Sequence, residues 1–139
     1  MDYELQKEDL KMGFKSEDEI LQHLEQHFGC KLDKTHRYHP FDFECREKKI
    51  LIELKTRRIN HNQYDDLMIG SNKIKYGNSM IKNKDYKIFF IYKCLDGVYE
   101  YEYLKDNKLR CDMNGNLRRN DRCIPMSYIP TNELKMIKI

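Results

Sequence analysis

Two stretches of alternating polar and apolar residues, Phe41-Asp42-Phe43-Glu44-Cys45 and Ile50-Leu51-Ile52-Glu53-Leu54-Lys55, flank the polar run Arg46-Glu47-Lys48-Lys49. Such alternation on both sides of a turn predicts a β-hairpin. With the turn centred between Glu47 and Lys48, Cys45 faces Ile50, Phe43 faces Ile52 and Phe41 faces Leu54, which makes one apolar face. The same register sets Asp42 directly opposite Glu53, with Lys55 two positions on and on the same side. Opposed side chains in an antiparallel pair have Cβ atoms about 4.5–5.5 Å apart. Two carboxylates that close repel unless one is protonated or a cation lies between them. A divalent metal resolves the conflict, and Mg²⁺ is the hard ion that accepts one or two carboxylates and completes its shell with water and substrate phosphate. Lys55 is placed to hold an attacking water and to offset charge developing on phosphate. The trio is therefore a candidate centre for phosphodiester hydrolysis. A merely solvated polar face would leave the opposition of the two acids unexplained.

The elements that must position this trio are legible in outline. Ser16 followed by Glu19 forms a capping box, Ile20, Leu21, Leu24 and Phe28 recur at helical spacing, and Gly29 closes a helix over about 16–28. A strand is expected near Lys31–Tyr38, and the hairpin follows. Tyr64, Leu67, Met68 and Lys73 suggest a second helix from Asn62 to about Lys75, weakened at its end by Gly70 and Asn72. Lys87–Tyr92 is a continuous apolar run of the kind found in a buried central strand, and Val98–Tyr103 alternates with period two. The order α-β-β-β-α-β-β predicts an α/β (α+β) domain with a central mixed sheet flanked by helices. At 139 residues the chain fits a single domain over 1–139, with a core at about 16–104 and a loop-rich extension over 105–139 that has room for one more hairpin.

Charge distribution points to the same chemistry. Residues 1–30 carry three Lys against eight acids, 31–93 carry fifteen Lys or Arg against eight, and 94–139 carry eight against seven, for a total of +3. A basic middle suggests a polyanionic partner, while the mild total argues against a histone-like coating protein. No apolar run approaches the ~20 residues that cross a bilayer, and the polar, acidic N-terminus does not resemble a secretory signal. The five cysteines show no C-x-x-C spacing, so they read as reduced thiols in an intracellular protein.

The run His39-Pro40-Phe41-Asp42, ten intervening residues, then Glu53-Leu54-Lys55 resembles the PD-(D/E)XK nuclease superfamily, in which an acid opens one strand and an (Asp/Glu)-x-Lys motif lies on the next. The element order is also similar to that restriction-endonuclease-like core, α-β-β-β-α-β. The resemblance implies that Asp42 and Glu53 ligate Mg²⁺ or Mn²⁺, that the Leu54 carbonyl is a further ligand, and that Lys55 positions the nucleophilic water. Small members such as Holliday junction resolvases add a Glu on the first helix; Glu17 in Glu17-Asp18-Glu19 fits that place, since Glu19 serves the capping box. The literal Pro-Asp dipeptide is interrupted by Phe41, which leaves Glu44, on the same face, as an alternative to Asp42. The expected substrate is DNA, read by structure (branched or nicked) and by a homodimer, because so small a domain has little surface for reading sequence. RNA cleavage of the cap-snatching type, with His23 or His36 near the acids, and a non-catalytic nucleic-acid-binding protein on the same fold stay open as alternatives.

Several further residues carry a possible role beside a plain one. Arg57 and Arg58 follow the motif and could contact phosphates flanking the cut, and Lys73 and Lys75 could track a nucleic-acid backbone, if they are not simply solvated. Arg118, Arg119 and Arg122 lie in an Asn/Gly-rich stretch suited to a nucleic-acid-binding loop. Tyr99, Tyr101 and Tyr103 could stack on bases, although packing inside the protein is the better expectation. His23 and His27 have i, i+4 spacing without an H-E-x-x-H motif and read as surface residues, and His36 and His39 as structural ones.

Overall fold

The computed structural model describes residues 17–105, 107–114 and 124–138, apart from the side chains of Glu17, Asn114 and Ile124. The elements are α1 (Glu17–Phe28), β1 (Asp33–Lys34), β2 (Phe43–Cys45), β3 (Ile50–Thr56), β4 (Asp66–Gly70), α2 (Ser71–Lys84), β5 (Lys87–Cys94), β6 (Gly97–Tyr103), β7 (Arg110–Asn114), β8 (Ile124–Pro130) and β9 (Lys135–Ile137). They form an α+β fold around a six-stranded mixed sheet of order β1-β2-β3-β5-β6-β9, beside a three-stranded antiparallel sheet of order β4-β8-β7.

The two faces of the large sheet are sealed differently. Ile20 and Leu24 of α1 pack with Leu32, Phe43, Ile50, Ile52, Phe89 and Ile91 on one side. On the other, Leu51, Ile88, Phe90 and Tyr92 are covered by Ile74, Met80 and Ile81 of α2 and by Leu67, Ile69 and Ile129 of the small sheet. Strands β3 and β5 run parallel at the centre, so Ile50 pairs with Lys87 and Lys55 with Tyr92. Parallel neighbours need a long crossover, supplied here by β4 and α2. Because β5 is covered on both faces, Ile88–Tyr92 are all buried, which accounts for its unbroken apolar run.

The hairpin has the expected register: Phe43 pairs with Ile52 and Cys45 with Ile50. Phe41 departs from it. The chain bends over residues 40–42, β2 begins only at Phe43, and Phe41 turns into the opposite layer, ring to ring with Phe90 at 5.8 Å. It therefore does not join Leu54 on the α1 face. The strand expected near Lys31–Tyr38 is reduced to Asp33–Lys34. Helix α1 matches its expected span, and Gly29 ends it at φ 67°, the left-handed geometry that favours glycine. The Ser16 half of the capping box lies outside the described residues.

The second helix is displaced. Residues 66–70, expected inside it, form β4, which pairs with β8 from Asp66↔Pro130 to Gly70↔Met126. The helix begins only at Ser71 and runs to Lys84, ending on Asp85 at φ 60°. A strand held by a partner some 60 residues away leaves no local signature. The final segment also holds more strand than the loop-rich expectation. The anticipated further hairpin is β7–β8, and β9 returns to the large sheet through Val98↔Ile137. Tyr99, Tyr101 and Tyr103 are buried, with hydroxyls bonded to Asp96, Asn107 and Asn78 respectively, so they pack inward and offer bases no stacking surface. No helix among the described residues is long and apolar enough to cross a membrane.

Candidate active site

The site forms where β2 ends and β3 continues. The Asp42 backbone N–H still donates to the Ile52 carbonyl at 2.9 Å. Beyond that rung the chain bends away, and the Asp42 side chain takes over the ladder: its Oδ2 accepts the Leu54 N–H at 2.7 Å. A carboxylate that completes a strand edge is fixed in place by backbone geometry. Thr35 braces the bend from behind, its N–H donating to the Asp42 carbonyl at 3.0 Å and its hydroxyl reaching the same carbonyl at 3.1 Å. In a strand, N–H and C=O of one residue leave by the same edge, so the Leu54 carbonyl also faces the side that β2 has vacated.

Glu53 stands beside Asp42, only 3% exposed. Burial, first, and then a hydrogen bond and charge repulsion from Asp42 push its carboxyl up to about 7, while Lys73 and Lys55 pull it down. Lys55 Nζ lies 3.5 Å and Lys73 Nζ 3.2 Å from Glu53 Oε2. Lys73 Nζ also donates to the Pro40 carbonyl in the bend that delivers Asp42. The fold thus brings together Asp42, Glu53, Lys55 and the Leu54 backbone, as the sequence pattern anticipates, and adds Lys73. Lys73, expected to track a nucleic-acid backbone or to be solvated, is instead the third residue of α2 and is turned onto Glu53.

Glu44 is engaged elsewhere. Its Oε2 accepts the Tyr86 hydroxyl at 2.6 Å, which leaves Asp42 as the acid facing Glu53. Glu17 is the first residue of α1, and its side chain lies outside the described residues. Arg57 sits at the end of β3 with its guanidinium on the Thr56 carbonyl at 3.2 Å. Arg58 and Lys75 are exposed. Arg118, Arg119 and Arg122 lie outside the described residues.

The histidines are occupied with structure. His27 Nε2 meets Glu100 at 2.8 Å. His39 accepts the Phe41 N–H at 3.0 Å and stacks edge-on between His36 and Tyr76, each 5.3 Å away; burial lowers its ring below the usual value. Cys30, Cys45, Cys94 and Cys111 are free thiols.

No cluster of three or more His, Cys, Asp or Glu side chains able to hold an ion occurs among the described residues. The donors here are two carboxylates and a backbone carbonyl, all hard oxygens. That set suits a hard divalent cation that keeps water and substrate phosphate in the remaining positions.

No curated protein matches the sequence. A family model does match, over residues 3–137 of the 139, and so spans both sheets and both helices. An acid at the start of one strand opposite an (Asp/Glu)-x-Lys on the next is what that family's title abbreviates, and the chain belongs to the family described as phage putative PDDEXK endonuclease.

Proposed function

We propose that the protein is a divalent-metal-dependent endonuclease that hydrolyses phosphodiester bonds of DNA, with a preference for branched or nicked structure, and that it acts as a homodimer. The observation that carries this reading is the Asp42–Glu53 pair: two carboxyl groups held against each other, one of them 3% exposed, with Lys55 3.5 Å away.

Asp42, Glu53 and the Leu54 carbonyl would hold Mg²⁺ or Mn²⁺, with Glu17 as a further acid from the start of α1. The bound ion supplies positive charge against the scissile phosphate and its departing oxygen. Lys55 donates a hydrogen bond that aligns the attacking water with phosphorus. As the new P–O bond forms, the P–O bond to the departing oxygen breaks and the water's proton passes through solvent to that oxygen. The Lys55 ammonium also offsets the charge that builds on the non-bridging oxygens. Because Glu53 is buried, these charges act at low local dielectric, where each is worth more than in water. Arg57 and Arg58 contact flanking phosphates through the planar guanidinium, and Lys75 does so as a point charge.

The test is cleavage of supercoiled plasmid, a four-way junction and single-stranded RNA with Mg²⁺, Mn²⁺ or EDTA. Metal-dependent cutting of DNA that falls at least ~100-fold in both Asp42→Ala and Lys55→Ala is the expected result. Cutting confined to RNA would overturn the substrate assignment, and a wild-type protein that neither binds metal nor cuts would overturn the reading. Sedimentation of the free and junction-bound protein checks the dimer.

A further inference from the structure

The contacts of Lys73 set it apart from the other basic residues. It is the third residue of α2, in a first turn that contains no acidic side chain and no side-chain cap. The helix dipole disfavours a cation in that position. The side chain is only 20% exposed and has exchanged water for two acceptors, the Pro40 carbonyl and Glu53 Oε2 at 3.2 Å. It is closer to Glu53 than Lys55 is, at 3.2 Å against 3.5 Å. Lys73 therefore links three elements: the bend that carries Asp42, the strand that carries Glu53, and the start of α2. A lysine that served only to track a nucleic-acid backbone would gain nothing from burying its ammonium against a carboxylate.

We propose that Lys73 is the resident counter-ion of the Asp42–Glu53 pair, and that a divalent cation must displace its ammonium from Glu53 to enter the site. This rests on the metal-site reading above and adds the device that sets the site's affinity. The pair is neutralised in the free protein by a charge from the helix, so loose cations are held weakly. On metal entry the Lys73–Glu53 contact opens while the ammonium keeps the Pro40 carbonyl.

Three substitutions separate the charge of Lys73 from its tether. Lys73→Met keeps the chain length and removes both, Lys73→Gln keeps an N–H donor for Pro40 without the charge, and Lys73→Arg keeps the charge. Mn²⁺ affinity is read by calorimetry, and the Mn²⁺-induced rise in melting temperature by thermal unfolding, both without nucleic acid. Removing one positive charge within ~4 Å of the ligand carboxylate is expected to tighten Mn²⁺ binding about tenfold in Lys73→Gln and Lys73→Met, with Lys73→Arg close to wild type. The rise in melting temperature should grow in step, from a lower metal-free starting point. If Lys73 is only a tether, Lys73→Gln binds as wild type does and Lys73→Met binds more weakly, which overturns the proposal and leaves the metal site standing. Wild-type protein that binds no Mn²⁺ overturns both. Should Lys73→Met fail to fold, the comparison of Gln with Arg decides.

Discussion

Glu53 titrates far from where a surface glutamate does, and this has a measurable consequence. Its carboxyl is raised from 4.5 to about 7, by burial first and by Asp42 next. A raised acid favours the fold while it is protonated. Its contribution is fully present below the unfolded value near 4.5 and is lost as pH rises through 7; a shift of this size corresponds to about 3 kcal/mol. Without metal, the melting temperature of the wild type should therefore fall between pH 5 and pH 8 relative to that of Glu53→Gln, which lacks this titration. If the pair takes a divalent cation as proposed, adding Mn²⁺ should flatten the wild-type curve, since the cation would take the place of the proton on Glu53. Parallel curves for the two proteins would show that the Glu53 carboxyl does not govern this range. At this scale the sequence was informative where local rules apply: alternation and a turn centre set the register from Phe43 to Cys45, and the two acids meet just beyond it, where the chain bends. It was uninformative about Lys73, whose place depends on where a helix begins, and about Glu44, whose Tyr86 partner lies 42 residues away.

The elements that bring these residues together were unequally legible. Helix α1, the hairpin, β5 and β6 each carry a periodicity of their own. Residues 66–70 carry two: Leu67 and Met68 fit a helical stripe with Tyr64, and Leu67 and Ile69 fit strand alternation. Pairing with β8 decides for the strand, leaving Leu67 and Ile69 buried. Strand β8 was itself hard to read because Pro125 and Pro130 demote it under the usual rule for proline in strands. Both lie near its ends, opposite Met113 and Asp66, and the residues between them are free to pair on both sides. Helix α2 then seats on the sheet through Gly77. A Cβ built there would stand 3.4 Å from Ile88 Cγ2 and 3.7 Å from Tyr103 Cδ2, ordinary contact with no room beyond it. Gly77→Ala should stabilise by up to about 1 kcal/mol, since the added methyl makes only ordinary contacts and helix propensity improves. Gly77→Leu should cost about 1–3 kcal/mol by overpacking, with Lys75→Ala on the exposed face as a control that changes little. Chemical denaturation measures all three, and a Leu variant as stable as wild type would mean that α2 stands further from β5 than described. Because α2 carries Lys73, a displaced helix that draws the ammonium away from Glu53 should also tighten metal binding.

Taken whole, the molecule ties its site to a segment that the sequence pattern left outside the core. The large sheet receives β9 at its edge, with Ile137 3% exposed, and the layer above the acids includes Ile129, which is fully buried. Thr131 binds the chain just before β4, its N–H donating to the Asp65 carbonyl at 2.9 Å and its hydroxyl to the Tyr64 carbonyl at 3.0 Å. The family match extends to residue 137 and so includes these strands. Two truncations distinguish a structural member from an appendage. Ending the chain after Leu134 removes β9 alone and exposes the pocket of Ile137, a loss of about 1.5–3 kcal/mol for one buried isoleucine. That protein should unfold cooperatively at a lower temperature and keep its Mn²⁺ response, since β9 lies three strands from β3. Ending it after Leu104 removes β7, β8 and β9 together, leaves β4 without a partner and uncovers Leu67 and Ile69 above Leu51 and Phe90. With the crossover that delivers α2 unsupported, that shorter chain should lose its cooperative melting transition and its metal response at once. A chain of residues 1–104 that melts sharply and still binds Mn²⁺ would instead make the C-terminal strands an addition to a self-sufficient core.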